Sequence, residues 1–475
     1  MNKVNVVCNA VKKKLVPSPR LKRAVESRAE EIRRAIERQC DRANLSAEAR
    51  LDGSVAKDTW IRGLADVDIF MRVSPDLTKQ QLREICLPIA KKALEPFQVI
   101  ERYAEHPYVE ATVPFGVDSL KVNVVPCYRV EKGNWLSATD RTPYHTEYIR
   151  THMTDEQRDE VRLLKAFMRG VGAYGADIKT GGFSGMLCET LALHYGKFPK
   201  VVEGFTTWRE SSFIDLENYY AERDREIRRI FREPLVVIDP VDRGRNLAAA
   251  VRAEQLWNFV SASRYFTENP SEAYFFEPKT KPLRHSEYER LIKDRGSVLL
   301  CIAAGRIDAV VDILWSQLYR TERALVHFLE NNEFNVIRTT SWSDEKGLNV
   351  LLFELETEHL PHSRRHEGPP VWKLNESFAF LSKHLMKGDT VCGPWIERER
   401  WIVQKERTET SARRLLRSAL RSGGADLGVA SLLAKSFRRR LRILDGKGTG
   451  TLVSRNLEFA KFMRRYLSGR PVWIA

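Results

Sequence analysis

Apolar residues first recur at helical spacing. Behind Ser18 and Pro19, which read as an N-cap and first-turn proline, Leu21, Val25, Ala29, Ile32 and Ile36 share one face, opposite Arg and Glu. This predicts a helix to about Cys40. Next comes "GSVAKDTW", a glycine-started loop, and then a strand over Ala65–Val73. A helix is predicted near Thr78–Leu94, with strands at Val99–Arg102, Tyr108–Val113 and Lys121–Tyr128. Thr154 and Gln157 form a capping box for a helix ending before Gly170. "GGFSGMLCETLALHYG" reads as a loop and a buried helix, Leu235–Asp242 as a short strand and turn, and "NLAAAVRAEQLWNFVSASRYF" as helical. "SVLLCIA" and "LNVLLFELE" are strand-like around the helix "TERALVHFLENN". The pattern predicts an α+β, multidomain chain. An α+β block spans 1–150, a mostly helical block 151–265, a second α+β block 266–370 and a basic helical block 371–475.

Within the strand Ala65–Val73, side chains two apart point the same way, so Asp66 and Asp68 share a face while Val67 and Ile69 take the other. Two neighbouring carboxylates on a half-buried strand repel and lose hydration; a cation between them removes both costs. Oxygen ligands without His or Cys suit Mg²⁺, which favours a few carboxylates plus substrate phosphates. Asp-x-Asp alone equally describes two exposed acids at a strand end. The upstream Gly53-Ser54 pair shifts the balance, because a tight glycine turn lets backbone N–H groups and the Ser54 hydroxyl reach a triphosphate, with Lys57 close behind to add charge.

Charge sharpens this reading. Lys and Arg outnumber Asp and Glu by 78 to 63, a formal net charge of +15, which fits a polyanionic partner such as nucleic acid. The basic runs "ARRLLRSALRS", "KSFRRRLRIL" and "FMRRYL" lie in the last block. Seven scattered cysteines, never spaced as Cys-x-x-Cys, predict free thiols in a reducing, cytoplasmic setting, with no zinc site. No apolar run is long enough to span a membrane, and the first twenty residues make a poor signal peptide.

Gly-Ser followed by Asp-x-Asp on a strand resembles the nucleotidyltransferase superfamily of DNA polymerase β. "GSVAKDTWIRGLADVDIF", "RYAEHPYVEA", "VVPCYRV", "DRTPYHTEYI", "EVRLLKAFMRGVGAYGADIKTGGFSG" and "DPVDRGRNLAAAV" stand in the order found in archaeal (class I) CCA-adding enzymes, which they resemble closely over about residues 50–260. The resemblance implies a nucleotidyltransferase head, a helical nucleotide-binding neck, an α+β body and a basic tRNA-binding tail, with the block boundaries above. It implies template-independent addition of CCA to the 3′ end of tRNA from CTP and ATP, with two Mg²⁺ ions on Asp66 and Asp68. Ser54 and Lys57 would meet the triphosphate, where the family often has Arg at the second position. His145, Lys165 and Tyr174 match nucleotide contacts, and Arg245 matches an arginine facing the incoming base. Each has an ordinary alternative: His145 as a capped loop residue, Lys165 as a snorkelling lysine, Tyr174 as core. The tail would grip the acceptor arm, and a homodimer is implied by the family's habit alone. The other enzyme reading is a different terminal nucleotidyltransferase, such as a poly(A) or oligoadenylate polymerase.

One position departs from the family. Asn123, in Val122–Tyr128, stands where the resemblance places a third catalytic aspartate. Asn123 shares its strand face with Val125, while Val122 and Val124 face the other way. Three explanations stay open: a working variant, a change that traps a substrate complex, or a catalytically impaired tRNA-binding form. Glu110 and Asp118 are the acids near enough in sequence to stand in.

Overall fold

A computed structural model describes residues 3–102, 107–209, 212–220, 224–385 and 388–474. Part of the motif "RYAEHPYVEA", residues 103–106, lies outside them. The chain divides into two compact units, one of residues 1–279 with 470–475, the other of residues 280–469.

The first unit holds two large cores beside smaller clusters. One lies under a five-stranded sheet: β1 (Ala47–Asp52), β2 (Asp66–Val73), β3 (Gln98–Arg102), β4 (Tyr108–Phe115) and β5 (Asp118–Tyr128). Their order is β1-β2-β5-β4-β3; β2 and β5 run parallel and the other pairs antiparallel. Alternation sends Val67, Ile69, Val109, Ala111, Val113, Val122 and Val124 into the core, against the helices Pro19–Arg42 and Leu87–Ala93. Ser18 caps the first of these helices, accepting a bond from the Leu21 amide. The helix expected over Thr78–Leu94 forms in three continuous pieces, Lys79–Gln81, Leu82–Cys86 in π geometry and Leu87–Ala93, entered through a Thr78 capping box.

The other core is helical. Asp155–Gly170, started by the expected Thr154–Gln157 capping box, packs with Gly185–Tyr195, Phe198–Thr206 and Ala253–Glu268. Phe167 is its centre, with ring centroids of Phe266, Phe198 and Phe259 at 5.3, 5.4 and 6.0 Å. Three short strands attach here: β6 (Phe213–Ile214), β7 (Val236–Asp239) and β8 (Asp242–Asn246).

Two expectations in this unit need correction. Gly53–Ala56 is a single helical turn, not a loop. The helix expected from Asn246 begins only at Ala253. Asn246 accepts the amides of Val237 and Ala248 on its side-chain oxygen, and the Arg252 amide bonds the Gly181 carbonyl, so the alanine run is held as a turn.

In the second unit, one sheet comprises β9 (Val298–Ala304), β10 (Val336–Ser343), β11 (Asn349–Leu355) and β15 (Arg442–Leu444), in the order β10-β11-β9-β15. Helices Val311–Asn331, Ala412–Leu420 and Ser431–Arg439 share a core with one of its faces; His285–Lys293, Gly446–Arg455 and Leu457–Ser468 meet residues of the other. A smaller sheet orders β12 (Ser363–Pro370), β14 (Arg400–Glu406) and β13 (Thr390–Glu397) beside the helix Leu374–Leu385. The segment 371–475 is therefore not helical throughout. A boundary at 370 falls within the β12–β14 pair, and β15 completes the sheet begun by β9. Cysteines are free thiols, six of them buried and Cys392 exposed. No described helix is long and apolar enough to cross a membrane.

Candidate active site

The second face of the five-stranded sheet is built by the strand parity that fills its core. Register aligns Asp66 with Lys121 and Thr112, and in the next row Asp52, Asp68, Asn123 and Glu110. Asn123 Nδ2 donates to Asp68 Oδ1 at 2.9 Å. Burial pushes the Asp68 carboxyl up to about 6; the Asn123 bond opposes this and the nearby Asp66 adds to it. Burial also raises Asp66, with Lys121 lowering it and Glu110 raising it again.

The helical turn at Gly53–Ala56 touches this row. Gly53 has φ +73°, and an added Cβ would stand 2.1 Å from Asp68 Oδ2. Only glycine allows both the backbone conformation and that approach. Ser54 follows on the same turn, half-buried.

Beyond the turn, Lys57 runs inward. Its Nζ donates to Glu189 Oε2 at 2.5 Å, while Lys165 Nζ donates to Glu189 Oε1 at 2.9 Å and Thr59 Oγ1 donates to that same oxygen at 2.6 Å. All four residues are buried. Burial alone would raise Glu189, but the two lysines bring its carboxyl down to about 2. The group thus holds two ammonium ions against one carboxylate, a surplus of positive charge suited to an anionic ligand. Arg162, fully buried on the neighbouring helix, fixes the loop by donating to the carbonyls of Asp58 at 2.5 Å and Trp60 at 2.8 Å.

Tyr174 borders the same group. A Cβ at Gly185 would lie 3.3 Å from its hydroxyl and 3.7 Å from Lys165 Nζ, so both groups close on the start of the helix Gly185–Tyr195. Arg169 lies over the Tyr174 ring, 5.8 Å from its centroid, and lowers the Asp66 carboxyl.

His145 and Arg245 form a separate cluster on a buried acid. His145 Nε2 donates to Asp239 at 2.9 Å, and Arg245 donates to Asp239 Oδ2 at 2.9 Å. Burial would raise Asp239; the His145 bond, the Val241 amide and Arg245 bring it below the ordinary range. Arg245 stands on β8, its side chain 43% exposed, so its outer face is open to a ligand.

The structure therefore joins Asp66, Asp68 and Asn123 in one group, Lys57, Lys165 and Tyr174 in a second, and His145 with Arg245 in a third. Sequence reasoning missed Glu189, Asp239, Arg162 and Arg169. The signal for the two acids was a lone carboxylate inside an apolar stretch, "GMLCETLALHY" and "LVVIDP". Among the described residues no three His, Cys, Asp or Glu side chains converge as a ready-made metal cage. Two adjoining carboxylates, both pushed up by burial, and the buried Asn123 Oδ1, which has no hydrogen-bond partner, fit a hard cation that also takes substrate oxygens.

The helical part of this unit matches the family model for the second domain of tRNA nucleotidyltransferases, over residues 159–276. Residues 295–446 match the model for the C-terminal domain of the CCA-adding enzyme. The CCA-adding enzyme of Methanothermobacter thermautotrophicus is 40% identical over 379 residues, covering 79% of this chain and 80% of its own. The chain belongs to the CCA-adding enzyme family. The Methanopyrus kandleri member is 33% identical over 485 residues, covering 98% of this chain and 97% of its own. That of Halorubrum lacusprofundi is 34% identical over 470 residues, covering 95% and 97%.

Proposed function

We propose that the chain builds and repairs the 3′-terminal CCA of tRNA without a nucleic-acid template. The terminal 3′-oxygen bonds to the α-phosphorus of CTP or ATP, the bond to the β-phosphate bridge breaks, and pyrophosphate leaves. The observation that carries this reading is the packing of the Gly53 turn against Asp68, with the two-lysine group directly behind the turn.

Asp66 and Asp68 would hold Mg²⁺, two ions when substrate is bound, which supplies charge neutralisation at the triphosphate and acidifies the attacking hydroxyl. Ser54 and the turn amides receive phosphate oxygens. Lys57 and Lys165, both held by Glu189, set positive charge against the triphosphate. Tyr174 lines this pocket. His145 and Arg245, braced on Asp239, present donors towards the incoming base, where the rigid guanidinium fork separates C and A from U.

The second unit supplies the RNA grip. A cavity of about 540 Å³ there is lined by Arg306, Lys435, Arg439, Arg440 and Arg442, with Asp308 as its acid. A groove so basic suits the phosphates of an acceptor arm. Free, mostly buried thiols and tRNA as substrate fit a cytoplasmic enzyme.

The test is incorporation on tRNA lacking its CCA, with each nucleotide supplied separately. Successive C, C and A addition is expected. Incorporation of ATP alone, in runs, would assign the chain to a poly(A)-type activity. Tight tRNA binding without incorporation would make it the impaired form suggested by Asn123.

A further inference from the structure

The middle of the active face carries an amide where its two flanking strands carry acids. Register places Asn123 on β5 directly between Asp68 on β2 and Glu110 on β4, all on the open face. Asn123 gives Nδ2 to Asp68, and its buried Oδ1 has no hydrogen-bond partner. Glu110 is buried on the other side of it. The second acid named from the sequence is not a candidate. Asp118 pairs with Phe115 at the far end of the strand, and five residues at about 3.4 Å each put it on the order of 17 Å from Asn123 along β5.

From this juxtaposition we infer that Glu110 is the third acid of the active face, supplying from the next strand the negative cation ligand that Asn123 lacks. This rests on the nucleotidyl-transfer reading above. Glutamate has one methylene more than aspartate, which suits a ligand reaching back across one strand. In the structure its carboxylate receives Arg102 at 2.8 Å and Lys121 at 2.7 Å. Both partners are nearly half exposed and can swing out to water, so a divalent cation would take their place on the Glu110 carboxylate. Asn123 retains the neutral half of the third ligand's role. Its amide holds Asp68 before the cation arrives and can offer Oδ1 afterwards. Charge has moved one strand along the sheet, and the acids offered to the cation are Asp66, Asp68 and Glu110.

The probe is Mn²⁺, titrated into the full-length protein without nucleotide or tRNA and read as free ion by electron paramagnetic resonance. Glu110→Gln should weaken binding about tenfold or more, the size expected when a group serving a metal is lost. Adding Asn123→Asp to that variant should restore most of it. Asn123→Asp alone should change affinity by less than about threefold. A parental titration for Glu110→Gln overturns the assignment, and so does a weakened one that the added Asp fails to restore. Should Glu110→Gln not fold, Asn123→Asp alone decides: a tenfold gain would show that the third place was vacant. Failure of the functional reading is distinguishable, because the unmodified chain would then add no C or A whatever the Mn²⁺ titrations give.

Discussion

Glu189 carries more than its own charge, since two buried lysines depend on it. Removing one partner from such a group typically costs about 3–5 kcal/mol. Glu189→Gln should lose stability of that order at neutral pH and bind nucleotides more weakly. The pH dependence has a definite sign. The carboxyl titrates at about 2 in the folded chain against 4.5 ordinarily, so its contribution is complete above about 4.5 and disappears as pH falls towards 2. Urea unfolding of parent and variant should therefore converge over that window; a gap independent of pH would show that the charge of Glu189 is not what holds the lysines. Arg245 makes a different prediction, because one of its faces rests on Asp239 while the other is open. Arg245→Ala should lower the ratio of CTP to UTP incorporation more than it weakens either nucleotide. Equal weakening with an unchanged ratio would mean that this arginine holds phosphate instead.

Among the elements, the turn Gly53–Ala56 is the most demanding. Gly53→Ala combines a positive φ with a Cβ at 2.1 Å from Asp68 Oδ2. The cost should be about 1–3 kcal/mol of stability, with single-turnover incorporation falling far more than tRNA affinity. A near-parental rate would show that the turn does not set the position of Asp68. This element also marks where the sequence stopped being readable. Helix Pro19–Arg42 and strand β2 were legible because a long 3.6 period marks the one and a short apolar run with Asp66 and Asp68 on one face marks the other. Four residues are too few to show a period, so the turn read as a loop. The alanines after Asn246 favour helix intrinsically, and only the Asn246 side chain, bonded across to β7, shows otherwise. β12 (Ser363–Pro370) carries arginines, a histidine and two prolines, and β15 is three residues long, so neither announced itself as a strand. Asp66 and Asp68 were found because strand parity puts them on one face, and Asn123 because the family resemblance marks its position. Glu189 and Asp239 were not, because what marks them is contact with residues distant in the chain.

At the scale of the whole molecule, the formal charge of +15 has a local expression in the second unit. If the cavity around Arg439 and Arg440 holds RNA backbone, each phosphate contact adds roughly 0.7–0.9 to the slope of log affinity against log salt. Four contacts or more predict a slope of about −3 or steeper, and replacing both arginines by alanine should flatten it by roughly 1.5. A slope near zero would make the basic surface mere solvated charge. The first unit carries a different lesson. Its core and its active face are opposite sides of the same strands, so sliding β5 by one residue would turn Asn123 into the core and set Val122 or Val124 beside Asp68. No such misfold could be half active on the proposed reading: it would lose the Asp66, Asp68 and Asn123 group and bury polar groups in one event. Turnover of this chain is thus a gauge of strand registry, and counting active molecules in a preparation counts those whose sheet has closed in the native frame.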